Sequence, residues 1–123
     1  MKILIAEDND LNYMILERLL QAVIDASVIR AENGKEAVEY CKTHPEIALV
    51  LMDIKMPVMD GYEATRQIRK LYPELPVIAQ TAHAMTENKE TAFRAGCNDY
   101  LTKPILKDTL RQMIEKYLTN KTH

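Results

Sequence analysis

The sequence predicts an α/β fold in which a five-stranded parallel sheet is covered by five helices, in three layers. Short apolar runs alternate with helical patterns along the whole chain, which is typical of repeated strand–helix units. The central apolar runs are unbroken, as expected for strands that are buried on both faces. A length of 123 residues corresponds to one domain, so we treat residues 1–123 as a single domain.

The first half of the chain predicts three strands and two helices. The strands are Lys2–Ala6, Ser27–Ala31 and Ile47–Met52. Apolar residues at every fourth position predict one face of the first helix: Leu11, Ile15, Leu19 and Val23. Asn9 or Asp10 is positioned as its N-cap. Asn33-Gly34 could form a hairpin turn, but the pattern of Lys35–Thr43 is helical, so we predict a helix there.

The second half predicts two strands and three helices. The strands are Val77–Gln80 and Asn98–Thr102. A helix capped by Asp60 covers Gly61–Tyr72, and a weakly apolar helix covers Met85–Ala95 and stops at Gly96. The closing helix has an apolar face made by Leu106, Leu110, Met113 and Tyr117.

The polarity of the strands predicts their order. The first, third and fourth strands have the most apolar cores and belong in the middle, whereas the second and fifth carry polar residues such as Arg30 and Asp99 and suit the edges. This arrangement matches the flavodoxin-like order 2-1-3-4-5. In that order a ligand site lies between strands 1 and 3, where the winding direction reverses.

Acidic side chains follow the two strands that meet at this point. Glu7 and Asp8 end the first strand, and Asp53 ends the third. Three carboxylates in one crevice repel each other, and a divalent cation removes that conflict. Mg²⁺ suits the site because it binds one or two carboxylates, water and a phosphate oxygen.

Two more polar groups are expected on the same rim. Thr81 ends the fourth strand, and Lys103 follows the fifth. A carboxylate, a metal, a hydroxyl and an ammonium group together predict a phosphoryl-transfer site, because that chemistry depends on positioning and on neutralising charge. Asp53 could attack phosphorus and form an acyl phosphate.

The same residues carry a resemblance to a known family. Glu7-Asp8, the run Leu51–Gly61, Thr81-Ala82 and Lys103-Pro104 are similar to the motifs of bacterial response regulator receiver domains, in the right order and over essentially the whole chain. The sequence of residues 7–12 and 81–85 further resembles that of receivers attached to hybrid sensor histidine kinases.

The resemblance implies a role for each matched residue. Asp53 would be the phosphoacceptor. Mg²⁺ would be bound by Asp8, by Asp53, by Glu7 through water and by the backbone carbonyl of Lys55. The hydroxyl of Thr81 and the ammonium of Lys103 would contact the phosphoryl oxygens. Tyr100 would turn inward as Thr81 moves. The side chains of Lys55 and His83 would tune the lifetime of the phosphoryl group. The Lys103–Pro104 bond is often cis in this family.

The resemblance also implies partners and a mode of action. The donor would be a histidine kinase or a histidine phosphotransfer protein, and the domain would catalyse only its own phosphorylation and dephosphorylation. The helix over Met85–Ala95 has almost no apolar face, so its docking should be marginal and its position easy to change. We therefore expect phosphorylation to reshape the face made by helix 4, strand 5 and helix 5, where a homodimer could also form.

Composition narrows the remaining classes of function. A net charge of −2 offers no basic surface for nucleic acid, so we expect no direct contact with it. The apolar run Ile3–Ala6 is too short for a signal peptide or a membrane span. We expect a cytoplasmic domain without membrane contact of its own, which could be the cytosolic part of a membrane-bound hybrid kinase. Cys41 and Cys97 have no metal or redox spacing and are expected to be free thiols.

Three alternatives fit the residues less well. A Mg²⁺-dependent phosphatase of the haloacid dehalogenase type needs an acid two residues after its nucleophile, where this chain has Lys55. A flavodoxin-like electron carrier needs a phosphate-binding loop after the first strand, where Glu7 and Asp8 would repel a flavin phosphate. A degenerate receiver that only binds proteins is disfavoured by the complete set of site residues.

Overall fold

A computed structural model describes residues 1–82 and 89–118. Five strands form one parallel sheet in the order β2-β1-β3-β4-β5, which confirms the predicted topology. The strands are β1 (Lys2–Ala6), β2 (Ser27–Ala31), β3 (Ile47–Asp53), β4 (Val77–Thr81) and β5 (Asp99–Thr102). The helices are α1 (Asp10–Val23), α2 (Gly34–Thr43), α3 (Gly61–Leu71), α4 (Lys89–Ala95) and α5 (Lys107–Leu118). The part of the predicted fourth helix before Lys89 lies outside the described residues.

The sheet separates two apolar cores. Along β1, Ile3 and Ile5 face the core beneath α1 and α5, whereas Leu4 and Ala6 face the core beneath α2, α3 and α4. This alternation follows from the two-residue repeat of a strand. Each of these four side chains is fully buried, as expected for a central strand that is covered on both faces.

The buried face of α1 differs from the predicted one. Leu16 and Leu20 are buried in the core, whereas Leu11 and Ile15 are 63% and 51% exposed. The other two predicted residues, Leu19 and Val23, are partly buried and pack against the core. A four-residue spacing drifts around a helix of 3.6 residues per turn, so it identifies an apolar stripe but not the direction in which that stripe points. The consequence is an apolar patch on the outside of α1.

The buried face of α5 also differs in part from the predicted one. Its buried residues are Leu110, Ile114 and Leu118, while Leu106 precedes α5 and is 65% exposed. Met113 and Tyr117 are partly buried at the border of the core. The predicted face was therefore right for Leu110, partly right for Met113 and Tyr117, and wrong for Leu106.

Side-chain caps start three helices where the sequence indicates. Asn9 Oδ1 accepts from the backbone N–H of Asn12, and Asp60 Oδ1 accepts from that of Glu63, each at 2.9 Å. Asn33 caps α2 in the same way, which confirms a helix rather than a hairpin after Asn33-Gly34. No helix in residues 1–82 or 89–118 is both long and apolar enough to cross a membrane.

The loop after β3 approaches the backbone of α2 closely. The Gly34 N–H donates to the Met59 carbonyl at 3.0 Å, and a Cβ on Gly34 would lie 2.3 Å from that oxygen. Val58 in this loop has φ of 69°, a left-handed conformation that is uncommon for a β-branched residue. The loop is thus held in a strained conformation at the end of β3.

At the amino end of the sheet, Arg69 of α3 connects three segments. Its guanidinium donates to the carbonyls of Tyr72, Pro73, Leu75 and Gly96 and to Asn98 Oδ1, at 2.7–3.1 Å. Asn98 Oδ1 also accepts from the N–H of Val77 at the start of β4. One side chain therefore ties the end of α3 to the segments before β4 and β5.

Candidate functional site

Three carboxylates meet at the carboxyl end of the sheet. Glu7 and Asp8 follow β1, and Asp53 is the last residue of the adjacent strand β3. One carboxylate oxygen from each lies within 4.8 Å of the others. Glu7 is 1% exposed and Asp53 6%, while Asp8 is exposed at the mouth of the cleft. The predicted convergence of the three acids is therefore present in the structure.

Lys103 is the cation that contacts the two buried acids of this cleft. Its Nζ donates to Glu7 Oε1 at 2.9 Å and lies 3.4 Å from Asp53 Oδ2. The Lys103–Pro104 peptide is cis. Burial alone would lower the pKa of Lys103, but its hydrogen bond to Glu7 and the charge of Asp53 outweigh burial and raise that pKa. The lysine is therefore charged and bridges the two buried acids.

One cation does not neutralise this cluster. Burial, a hydrogen bond with Glu7 and the charge of Glu7 together raise the pKa of Asp53 to about 7, against the lowering effect of Lys103. Asp53, which follows six apolar residues, is thus buried in surroundings that disfavour its ionised form. Further positive charge would relieve that cost.

The donor set fits Mg²⁺. Hard carboxylate oxygens are the ligands that this ion prefers, and two of the three acids are buried while the third opens to solvent, where water can complete the shell. Glu7, Asp8 and Asp53 could hold the ion, and the exposed Lys55 lines the same cleft.

The remaining predicted residues lie around the cleft or just outside it. Thr81 is buried at the end of β4 and lines the cleft. Tyr100 of β5 is half-buried, with Lys89 Nζ 5.3 Å from its ring centroid. His83 lies outside the described residues, so its predicted role in phosphoryl lifetime stays a prediction.

Sequence reasoning missed Arg30, which supports the acidic loop from β2. Its Nε donates to the backbone carbonyl of Glu7 at 3.2 Å, and its Nη1 pairs with Asp10 at 2.9 Å. The guanidinium also lies 4.7 Å from the ring centroid of Tyr13. A basic residue inside a strand was interpreted only as a sign of a sheet edge, whereas it also holds the loop that carries Glu7 and Asp8.

Gln80 was also missed. It is the residue before Thr81 and is 1% exposed, and its Nε2 has no hydrogen-bond partner in the described part of the chain. An amide in an otherwise apolar strand could have signalled a polar requirement at this position.

Comparisons with known proteins agree with this geometry. The family model for the response regulator receiver domain matches residues 3–115. The sensor histidine kinase GacS of Pseudomonas protegens is 38% identical over 121 residues, which cover 94% of this chain and 13% of the kinase. The chain thus spans a small part of the curated relatives that it matches.

Two solved receiver structures are similar over nearly all of the chain. The receiver domain of Ssk1 from Saccharomyces cerevisiae, crystallised with the histidine phosphotransfer protein Ypd1, has a TM-score of 0.90 and 32% identity; the match covers 100% of this chain and 92% of that one. The receiver of the sensor histidine kinase PA1611 from Pseudomonas aeruginosa, with magnesium in its active-site cleft, has a TM-score of 0.88 and 34% identity, over 96% and 97% of the two chains.

Proposed function

The chain belongs to the response regulator receiver domain family, and from that premise we propose that it is a phosphorylation-controlled switch with Asp53 as its phosphoacceptor. Members of this family are signalling domains of two-component and phosphorelay systems rather than enzymes with a separate substrate. The observation that carries the proposal is the position of Asp53, which is buried at the end of a central strand between Lys103 and two further acids. The chemistry of that position is nucleophilic attack by a carboxylate on phosphorus.

In the proposed reaction an oxygen of Asp53 attacks the phosphorus of a phosphohistidine. A P–O bond forms, the P–N bond breaks, and the imidazole leaves with the electron pair of that bond. When bound by Glu7, Asp8 and Asp53, Mg²⁺ would supply positive charge that keeps Asp53 ionised and offsets the charge of the phosphoryl oxygens. Lys103 would exchange a carboxylate contact for a phosphoryl oxygen, and the Thr81 hydroxyl would donate to another.

We propose that the donor is a histidine phosphotransfer protein or a histidine kinase that docks across α1. A donor has to reach Asp53, so its docking surface must border the cleft. The exposed residues Leu11, Met14 and Ile15 form an apolar patch on the helix that begins beside Glu7-Asp8. The complex of the Ssk1 receiver with Ypd1 supports this class of partner.

Docking and chemistry can be tested separately. Ile15→Lys should weaken binding to a phosphotransfer protein such as Ypd1, and should leave phosphorylation by acetyl phosphate unchanged. Phe93→Lys alters an exposed apolar residue on α4, and serves as the matched control. Equal loss of binding in both variants would contradict docking across α1.

The output surface is proposed to be the face of α4, β5 and α5. In the described residues α4 inserts only Ala92 and Ala95 into the core, so little apolar area holds it in place. Tyr100 lies beneath the Lys89 side chain and next to the strand that carries Thr81. Hydrogen exchange over residues 89–102 should change on phosphorylation, while exchange over α2 should not.

The central test is the intact mass of the protein after incubation with acetyl phosphate. We expect the gain of one phosphoryl group in the wild type with Mg²⁺, and no gain without Mg²⁺ or in Asp53→Asn. Asp60→Asn removes a nearby exposed carboxylate and should still be phosphorylated. Phosphorylation that persists in Asp53→Asn would overturn the assignment.

The lifetime of the phosphoryl group is a separate proposal for Lys55 and His83. Lys55→Ala and His83→Ala should change the rate of dephosphorylation more than the rate of phosphorylation, with Lys35→Ala as an exposed control on α2. Unchanged dephosphorylation rates in both variants would refute it.

The free, buried thiols of Cys41 and Cys97 support a reducing compartment such as the cytoplasm.

A further inference from the structure

A second cavity adjoins the acidic cleft, between α1 and the loop from β5 to α5. Its volume is ≈ 110 Å³. Its apolar walls are Ile15, Leu16, Leu19, Pro104 and Ile105. Polar groups are contributed by Glu7, Asn12, Gln80 and Lys103. The cavity is therefore apolar on its sides, with a few polar groups beside the cleft.

The volume of this cavity, ≈ 110 Å³, limits its occupant to a few heavy atoms. An engineered apolar cavity of about 150 Å³ in another protein holds benzene. A body about the size of a five-membered ring is therefore the upper limit here.

Gln80 supplies a buried polar group of this lining that lacks a partner among the described residues. Ile78, two residues earlier on β4, belongs to the core beneath α1 and α5, so Gln80 points to the same side of the sheet. Its side chain is 1% exposed, and its Nε2 has no acceptor in the described residues. A buried N–H donor without a partner is uncommon in folded proteins, and it indicates a missing acceptor.

The charged groups of the lining already satisfy each other. Lys103 Nζ donates to Glu7 Oε1 at 2.9 Å, and Glu7 Oε2 accepts from the N–H of Asn9 at 3.2 Å. An anion would face Glu7 and a cation would face Lys103, so neither sign of charge is favoured in the occupant. The group that fits is neutral, and it carries an acceptor for Gln80.

We propose that this cavity binds a small neutral carbonyl compound, whose apolar body contacts Leu16 and Ile105 and whose oxygen accepts from Gln80 Nε2. The cavity shares Glu7, Asn12 and Lys103 with the acidic cleft. An occupant that holds Lys103 against Glu7 would slow phosphorylation of Asp53, and this regulatory consequence rests on the proposed function. Binding itself does not depend on that function.

The test is a titration of the metal-free, unphosphorylated protein, labelled with ¹⁵N and ¹³C, with cyclopentanone as the probe. We expect saturable chemical-shift changes in the side-chain amide of Gln80 and in the methyl groups of Leu16 and Leu19. Methylenecyclopentane has the same shape without the oxygen and should bind about tenfold more weakly, the typical effect of one neutral hydrogen bond. Resonances of Cys41, on the other side of the sheet, should not move.

Gln80→Leu removes the donor at similar size, and is the decisive variant. It should bind cyclopentanone about tenfold more weakly than the wild type while losing its preference for the ketone over methylenecyclopentane. Leu19→Phe, which adds volume at the wall, should weaken both probes. The proposal is overturned by the absence of saturable shifts in the wild type, or by equal ketone affinity in Gln80→Leu.

The regulatory consequence has its own readout. Cyclopentanone at a concentration equal to its wild-type Kd should lower the rate of phosphorylation by acetyl phosphate in the wild type and should have a much smaller effect on Gln80→Leu at the same ketone concentration. Failure of Asp53 to accept a phosphoryl group would refute the proposed function and leave the titration result intact. The two failures are thus distinguishable.

Discussion

The two ends of the sheet treat their polar groups in opposite ways. At the amino end, the guanidinium of Arg69 is surrounded by acceptors, and Asn98 joins it to the start of β4. At the carboxyl end, Glu7 and Asp53 are buried with one lysine between them, and Gln80 Nε2 has no partner in the described part of the chain. Interactions that stabilise the fold are therefore concentrated at the amino end of the sheet, whereas the carboxyl end holds buried polar groups at a cost in stability, as is common where a functional site is traded against stability.

The largest expected effect tests the amino end. Arg69→Met should lower the free energy of unfolding by about 4 kcal/mol, because several hydrogen bonds to a charged donor are lost and their carbonyl acceptors are left unpaired. Urea unfolding measures this change. Arg66→Met is the control on the same helix: Arg66 is exposed and pairs only with Glu63 among the described contacts, so its loss should cost less than about 0.5 kcal/mol. Equal effects of Arg69→Met and Arg66→Met would contradict the stabilising role of Arg69 at the amino end.

The next prediction concerns the carboxyl end of the sheet, where a substitution should stabilise the protein. The pKa of Asp53 is raised to about 7 in the folded protein, from 3.8. The folded state therefore binds more protons than the unfolded state between these values, and metal-free stability should fall as the pH rises from about 4 to about 7. Asp53→Asn should remove this dependence and stabilise the metal-free protein at pH 8, by on the order of a few kcal/mol.

Thermal unfolding at several pH values without Mg²⁺ checks this expectation. Asp25→Asn removes an exposed acid at the other end of α1 and should leave the pH profile unchanged. Mg²⁺ should stabilise the wild type and should have a smaller effect on Asp53→Asn, since a ligand that binds only the folded state raises stability. A profile of Asp53→Asn that matches the wild type would show that the acid carries no such cost.

A smaller stabilisation is expected at Gln80. In the absence of a ligand, Gln80→Leu should raise the free energy of unfolding by about 1.5 kcal/mol, because an unpaired buried amide is replaced by an apolar group of similar size. Chemical unfolding with guanidinium chloride measures the change. Gln67→Leu on α3 is the comparison, since Gln67 donates to Glu63 and is only half-buried. A lower free energy of unfolding in Gln80→Leu would contradict this expectation, because it would mean that the Gln80 amide stabilises the folded protein.

The smallest expected effect concerns the loop after β3. Val58 has φ of 69° and is 79% exposed, so Val58→Asn should stabilise the protein by about 1 kcal/mol by relieving backbone strain. Val58→Ala shortens the side chain but keeps a residue that disfavours positive φ, and it should change little. Calorimetric unfolding of both variants separates the backbone effect from the loss of an exposed side chain. Equal stabilisation by Asn and Ala would show that φ is not the cause.

The architecture and the members of the acidic site could be predicted from the amino-acid sequence. Strand order followed from which runs were unbroken, and the positions of Glu7, Asp8 and Asp53 followed from where the strands end, because parallel strands present their carboxyl ends at one end of the sheet. These inferences needed only local pattern and topology.

Features that depend on the direction of a side chain, or on contacts between distant segments, became visible only in the folded structure. It rotated the buried face of α1 to Leu16 and Leu20, since a spacing pattern does not state which side of a helix meets the sheet. It also placed Arg30 against the Glu7 carbonyl and left Gln80 Nε2 without an acceptor in the described residues. Such contacts join residues far apart in the chain, and their distances are set by how the packed layers meet rather than by any local pattern.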